Sequence, residues 1–144
     1  LIAVDTNLLV YAHRADSPWH MAASECLRSL AEGPGTWAIL WPCIHEFYSI
    51  ATHPRIYNPP STPAQAADQI DAWLESPTVE LLGEAANHWS VLRESLLSGR
   101  VAGPVVQDAR IATLCMTHGV RELLTADRDF SRFPKLKARN PLVE

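Results

Sequence analysis

Leu1-Ile2-Ala3-Val4-Asp5-Thr6-Asn7 begins the sequence, and the reading of this stretch decides the fold. Leu1–Val4 is apolar without alternation, as expected of a strand buried on both faces. Asp5 ends the run, and Thr6 and Asn7 are residues that start helices or turns. The spacing predicts a helix over Thr6–His13. A doubly buried strand handing over to a helix is the unit from which parallel sheets covered by helices are built.

The pattern continues outward from this unit. Asp16-Ser17-Pro18 is a cap-like start for a second helix, carrying Met21, Cys26, Leu27 and Leu30 up to Gly33. Thr36–Trp41 reads as a second strand, and Pro42 opens a helix to about Thr52. Residues 53–63 hold four prolines and form a loop. Ala66, Ile70, Trp73 and Leu74 mark the next helix, and Val79–Leu82 a third strand. Ala85, Trp89, Leu92 and Leu96 give one helical face, stopped at Gly99. Gly103-Pro104 launches a helix to Gly119. Arg121–Ala126 is a fourth strand, and Lys135–Arg139 a short fifth whose lysines suit an exposed edge. The expected class is α/β: a three-layer α/β/α sandwich with a mainly parallel sheet of four or five strands. With 144 residues, the expectation is one domain spanning 1–144.

Bulk properties narrow the function. Apolar residues make up 47% and charged residues 19%, which excludes wholesale disorder. A net charge of −4 argues against a protein that coats nucleic acid non-specifically. It does not exclude one that handles RNA locally. Six of the twelve basic residues, Arg121, Arg128, Arg132, Lys135, Lys137 and Arg139, lie near the C-terminus. They read either as a solvated edge or as a phosphate-binding rim. Cys26, Cys43 and Cys115 are odd in number and widely spaced, which suggests buried free thiols and a reducing cytoplasm rather than disulfides or structural zinc. No apolar run reaches transmembrane length, so no membrane association is expected. Most of the five tryptophans are expected in the core, with some lining a groove for a partner helix. His13, His45 and His88 lack ligand spacing and are expected to hydrogen-bond locally.

Four acids are drawn together by this arrangement. Asp5 follows the first strand and Asp127 the fourth, at strand C-terminal ends where open α/β sheets bind ligands. Glu46 and Asp108 each stand four residues after a proline, Pro42 and Pro104, that opens a helix. One turn in, each helix is still close to that same edge. Asp108 shares a stripe with Ile111, Ala112 and Cys115, where an acid is costly unless paired or metal-bound. Taken singly, each acid has a plainer role: Asp5 as a helix cap, Glu46 on a helix surface, Asp127 or Asp129 as a turn cap. Clustered carboxylates repel, and a divalent cation reverses that. All-oxygen donors favour Mg²⁺ or Mn²⁺ over zinc.

At four places the sequence resembles PIN domains, specifically VapC-type toxins of toxin–antitoxin pairs. The stretches are Val4-Asp5-Thr6-Asn7-Leu8-Leu9-Val10-Tyr11-Ala12, His45-Glu46-Phe47, Gly103–Ala112 and Leu124–Phe133. Lys135 after Pro134 departs from a glycine common there. The resemblance implies a Mg²⁺-dependent endoribonuclease, with Mn²⁺ able to substitute, held inactive by a VapB-type antitoxin. It implies a homodimer, a transfer-RNA or ribosomal-RNA substrate, and DNA contact only through the antitoxin. It carries Asp5 and Asp108 over as principal metal ligands and catalytic residues, with Glu46 and Asp127 completing the cluster and Asp129 able to share the role of Asp127. Thr6, Asn7 and Thr125 are expected to orient the carboxylates, unless they serve only as turn and cap residues.

Two other classes compete. The chain could be a catalytically silent binding module acting with an antitoxin as a DNA-bound repressor. It could also be an acyl-phosphate hydrolase with Asp5 as nucleophile. The second is disfavoured because Asn7 stands where such enzymes carry another acid.

Overall fold

Strand order is what positions the site. The computed structural model describes residues 1–126 and 130–143. Five strands, β1 (Ile2–Val4), β2 (Trp37–Leu40), β3 (Val79–Leu82), β4 (Glu122–Leu124) and β5 (Lys137–Arg139), pair in the order β3-β2-β1-β4-β5. All four pairings are parallel, with Ala3 in register with Ala38 on one side and Leu123 on the other. The sheet is therefore wholly parallel among the described residues. Ala3 and Val4 are fully buried, as the unbroken apolar run requires.

Six α-helices cover it: α1 (Thr6–His13), α2 (His20–Glu32), α3 (Trp41–Ala51), α4 (Pro63–Leu74), α5 (His88–Ser98) and α6 (Val106–Thr117). From β1 the chain steps outward to β2 and β3, then reverses to β4 on the other side of β1. Parallel crossovers are right-handed, so reversal moves the helices to the opposite face. Helices α1–α4 cover one face and α5–α6 the other, giving the three layers. The core is continuous, with Leu8, Leu9, Trp37, Phe47, Leu114 and Leu123 essentially inaccessible.

Several boundaries differ from the sequence reading. Helix α2 starts at His20 because Asp16 is held by Arg14 at 2.7 Å and cannot cap. Trp41 leaves the second strand and begins α3, with Pro42 in its first turn. Gly103 takes a left-handed φ of +62° and starts a 3₁₀ turn over Gly103–Val105, so α6 proper begins two residues after Pro104. Only Trp37 of the tryptophans is fully buried; Trp19, Trp41 and Trp89 are exposed, correcting the expectation that most are core. Cys43 and Cys115 are buried, whereas Cys26 is half-buried. Among the described residues no helix is long and apolar enough to cross a membrane.

Candidate active site

The reversal of strand order falls between β1 and β4, and a crevice forms outside the carboxyl ends of strands at such a switch point. Asp5 stands at the end of β1 and Thr125 at the end of β4, one on each side of it. The Asp5 N–H donates to the Leu124 carbonyl at 2.9 Å, extending the ladder by one bond. Extended backbone at Asp5 (φ −82°, ψ 164°) then turns the chain into α1, so its side chain caps that helix.

The Asp5 carboxyl is fully buried. Burying a carboxylate is expensive unless donors replace water, and here they do. Oδ1 accepts from the Thr6 N–H at 2.8 Å and from the Cys43 thiol at 3.5 Å. Oδ2 accepts from the Thr125 hydroxyl at 2.9 Å. Asn7 acts one step away: its Nδ2 donates to Thr125 Oγ1 at 3.4 Å, and its Oδ1 accepts from the Ala126 N–H at 3.1 Å. From the β5 side, the Thr125 N–H donates to the Arg139 carbonyl and Asn140 donates to the Ala126 carbonyl. Cap and site are thus one arrangement rather than alternatives.

Glu46 lies in the second turn of α3, half-buried. With Pro42, His45 and Ser49 it lines a cleft of about 300 Å³ whose other wall is Gln107, Arg110 and Ile111 of α6. Asp108, also half-buried, is next to Gln107 in the first turn of α6. The negative charge of this edge is felt nearby. Burial, then the charge of Asp5, pushes the Cys115 thiol up to about 12. Burial, Asp5 and Glu46 together hold the Cys43 thiol well above its ordinary range.

The fold thus delivers Asp5, Glu46 and Asp108 to one edge. Among the described residues, no three Asp, Glu, His or Cys side chains come together closely enough to hold a metal ion. Asp127 and Asp129 lie outside the described residues. Thr6 differs from its expected role, since it reaches Asp5 through its backbone N–H, while its buried hydroxyl lies beside the Cys43 sulfur. Cys43 is the buried free thiol expected from sequence, but its contact with Asp5 was not; its position after Pro42 and three residues before Glu46 was the available signal.

A second polar cluster sits at the far end of α1, about 12 Å along the helix. His13 meets Ser61 at 2.8 Å and Gln69 at 3.1 Å, and Arg14 donates to Ser61 and to the Pro59 carbonyl. These bonds tie the proline-rich loop to α1, a structural task.

Residues 2–136 match the model of the PIN domain. The chain belongs to the PIN domain family. Within it, the curated relatives are VapC ribonucleases. Ribonuclease VapC48 of Mycobacterium tuberculosis is 31% identical over 137 residues, covering 95% of this PIN domain chain and 94% of the relative. Ribonuclease VapC33 of the same species is 29% identical over the whole of both chains. Among solved structures, VapBC2 from Rickettsia felis, bound to a DNA fragment from its promoter, superposes with a TM-score of 0.67 at 21% identity, over 96% of this chain and 97% of that one. Mycobacterium tuberculosis VapC20, a sarcin–ricin loop cleaving toxin, gives 0.66 at 18% identity, over 91% and 93%. These two structures share the PIN fold described here.

Proposed function

We propose that this PIN domain is the toxin of a type II toxin–antitoxin pair, acting as a metal-dependent endoribonuclease. The observation that carries the reading is the fully buried Asp5 carboxyl, held at the strand-order reversal on the edge where the helices carrying Glu46 and Asp108 begin. A fully buried carboxyl at a ligand-binding edge needs a purpose, and relatives at 31% identity are named ribonucleases.

The donor set is all oxygen, which fits a hard cation such as Mg²⁺, with Mn²⁺ able to replace it. Asp5, Asp108, Glu46 and Asp127 would hold it, with Asp129 as the alternative to Asp127. When bound, such an ion lowers the pKa of a water and offsets charge on a phosphate. The chain's own residues do the positioning. Thr6 and Thr125 fix the two oxygens of Asp5, and Asn7 fixes Thr125. The Glu46 cleft gives an RNA backbone a place beside the acids, with Arg110, itself paired to Glu84 at 3.4 Å, on its far wall. Cleavage is read as direct hydrolysis, with no covalent enzyme intermediate.

The partner is read as a VapB-type antitoxin, since similar solved structures are toxin–antitoxin assemblies. DNA is then reached through that antitoxin. Trp89 and Leu97, both more than 60% exposed on α5, suit a second copy of the chain. The site of action is read as the cytoplasm, on transfer or ribosomal RNA.

Purified protein incubated with total RNA tests the reading. Cleavage is expected with Mg²⁺ or Mn²⁺, none with EDTA, and none from Asp5→Asn or Asp108→Asn. Metal-dependent cleavage that survives in both variants would overturn it.

A further inference from the structure

We propose that Cys43 is a positioning residue for Asp5: its thiol holds one carboxylate oxygen and ties the helix that carries Glu46 to the same point. The inference rests on the metal-site reading above.

Cys43 occupies the third position of α3 and is completely buried. Its sulfur lies 3.5 Å from Asp5 Oδ1, within hydrogen-bonding reach for a thiol donor. A carboxylate offers acceptors alone, so the shared proton comes from sulfur.

The strand order gives this contact its meaning. β1 lies between β2 and β4, so Asp5 is approached from both flanks. From the β4 side Thr125 donates to Oδ2. From the β2 side, where β2 passes directly into α3, Cys43 donates to Oδ1. The Thr6 N–H also donates to Oδ1, but it is the adjacent residue and moves with Asp5 itself. Anchors on opposite oxygens, rooted in different strands, resist rotation of the carboxylate about its Cα–Cβ and Cβ–Cγ bonds. Loss of the thiol removes the β2-side anchor on Oδ1.

Helix geometry extends the effect to a second acid. Glu46 follows Cys43 by three residues, close to one turn. The turn pinned to Asp5 is therefore the turn that sets the height of Glu46 above it. Within the apolar core around it, the sulfur has two polar neighbours, the Asp5 carboxyl and the buried Thr6 hydroxyl.

The test compares Cys43→Ser, which keeps a donor, with Cys43→Val and Cys43→Ala, which do not. Cys115→Val, on a buried thiol of α6, controls for the loss of a buried sulfur as such. Mn²⁺ affinity by calorimetry is expected within about threefold of wild type for Ser and about tenfold weaker for Val and Ala, the range for residues that orient metal ligands. Equal affinities in Ser, Val and Ala, or a loss in Cys115→Val as large as in Cys43→Val, would overturn the role. A metal-free readout stands beside it. The S–H infrared band lost in Cys43→Val is expected to shift to higher frequency in Asp5→Asn, as its hydrogen bond weakens. A band that does not move overturns the thiol contact. Failure of wild type to bind Mn²⁺ while the band still moves would remove the metal reading, and the positioning role with it, but leave the contact standing.

Discussion

Thr125 and Asp5, 120 residues apart, are joined by a 2.9 Å hydrogen bond across the point where strand order reverses. The bond ties the ends of two neighbouring strands and fixes an oxygen of a buried acid. Thr125→Val keeps the shape and removes the donor. Hydrogen bonds to charged groups contribute roughly 1.5–3 kcal/mol, so urea denaturation should show a loss of that size. Mn²⁺ affinity should fall about tenfold in the same variant.

Glu46 and Asp108 behave differently, because each is only half-buried where Asp5 is fully buried. Glu46→Gln and Asp108→Asn are each expected to leave the melting temperature within a few degrees of wild type. RNA cleavage should fall by about a thousandfold, equal to about 4 kcal/mol of transition-state stabilisation. Parallel melts and cleavage assays check both halves of the expectation.

Alkaline pH should destabilise the protein through Cys115. Its folded pKa is raised from 9.0 to about 12 by burial and by Asp5. Between those values the unfolded chain has released a proton that the native chain keeps. Protons bound are then fewer in the unfolded state, so stability falls as pH rises. The contribution is up to about 1.4 kcal/mol per pH unit. Cys115→Val should flatten the fall between pH 9 and 12, measured by denaturation at several pH values.

Glu122 secures the β5 edge. It accepts from Arg139 and lies 3.6 Å from Lys137, and those cations hold its carboxyl below the usual range, with the Arg139 hydrogen bond the largest cause. A depressed acid stabilises above its unfolded value, near 4.5, and loses that contribution as pH falls through the folded value. Glu122→Gln is expected to lower stability by about 1 kcal/mol at pH 7, given the partial exposure of its partners. The difference from wild type should vanish in acid, below the folded pKa.

Much of this was legible in the residues. Leu1–Val4 announced a doubly buried strand because it lacks alternation, and the repeated strand–helix order implied a parallel sheet. The edge shared by Asp5, Glu46 and Asp108 followed from strand ends and helix-opening prolines. What stayed hidden depends on orientation. Nothing in the order of residues says that the Cys43 sulfur turns toward Asp5, or that Thr6 serves through its backbone. Trp41 extends an apolar run, so only the end of strand pairing shows where β2 stops. Periodicity marks Trp89 as apolar on a helix face but cannot say that no other element covers it.

The central place of β1 has a consequence in time. Residues 2–4 wait for β4, at 122–124, before both flanks of the strand are filled. A chain made from its N-terminus thus presents Asp5 120 residues before Thr125. Long-range pairing of this kind forms late. A domain built this way leaves its first strand paired on one flank through most of its synthesis, and the bond between Asp5 and Thr125 forms only once residue 125 has been made.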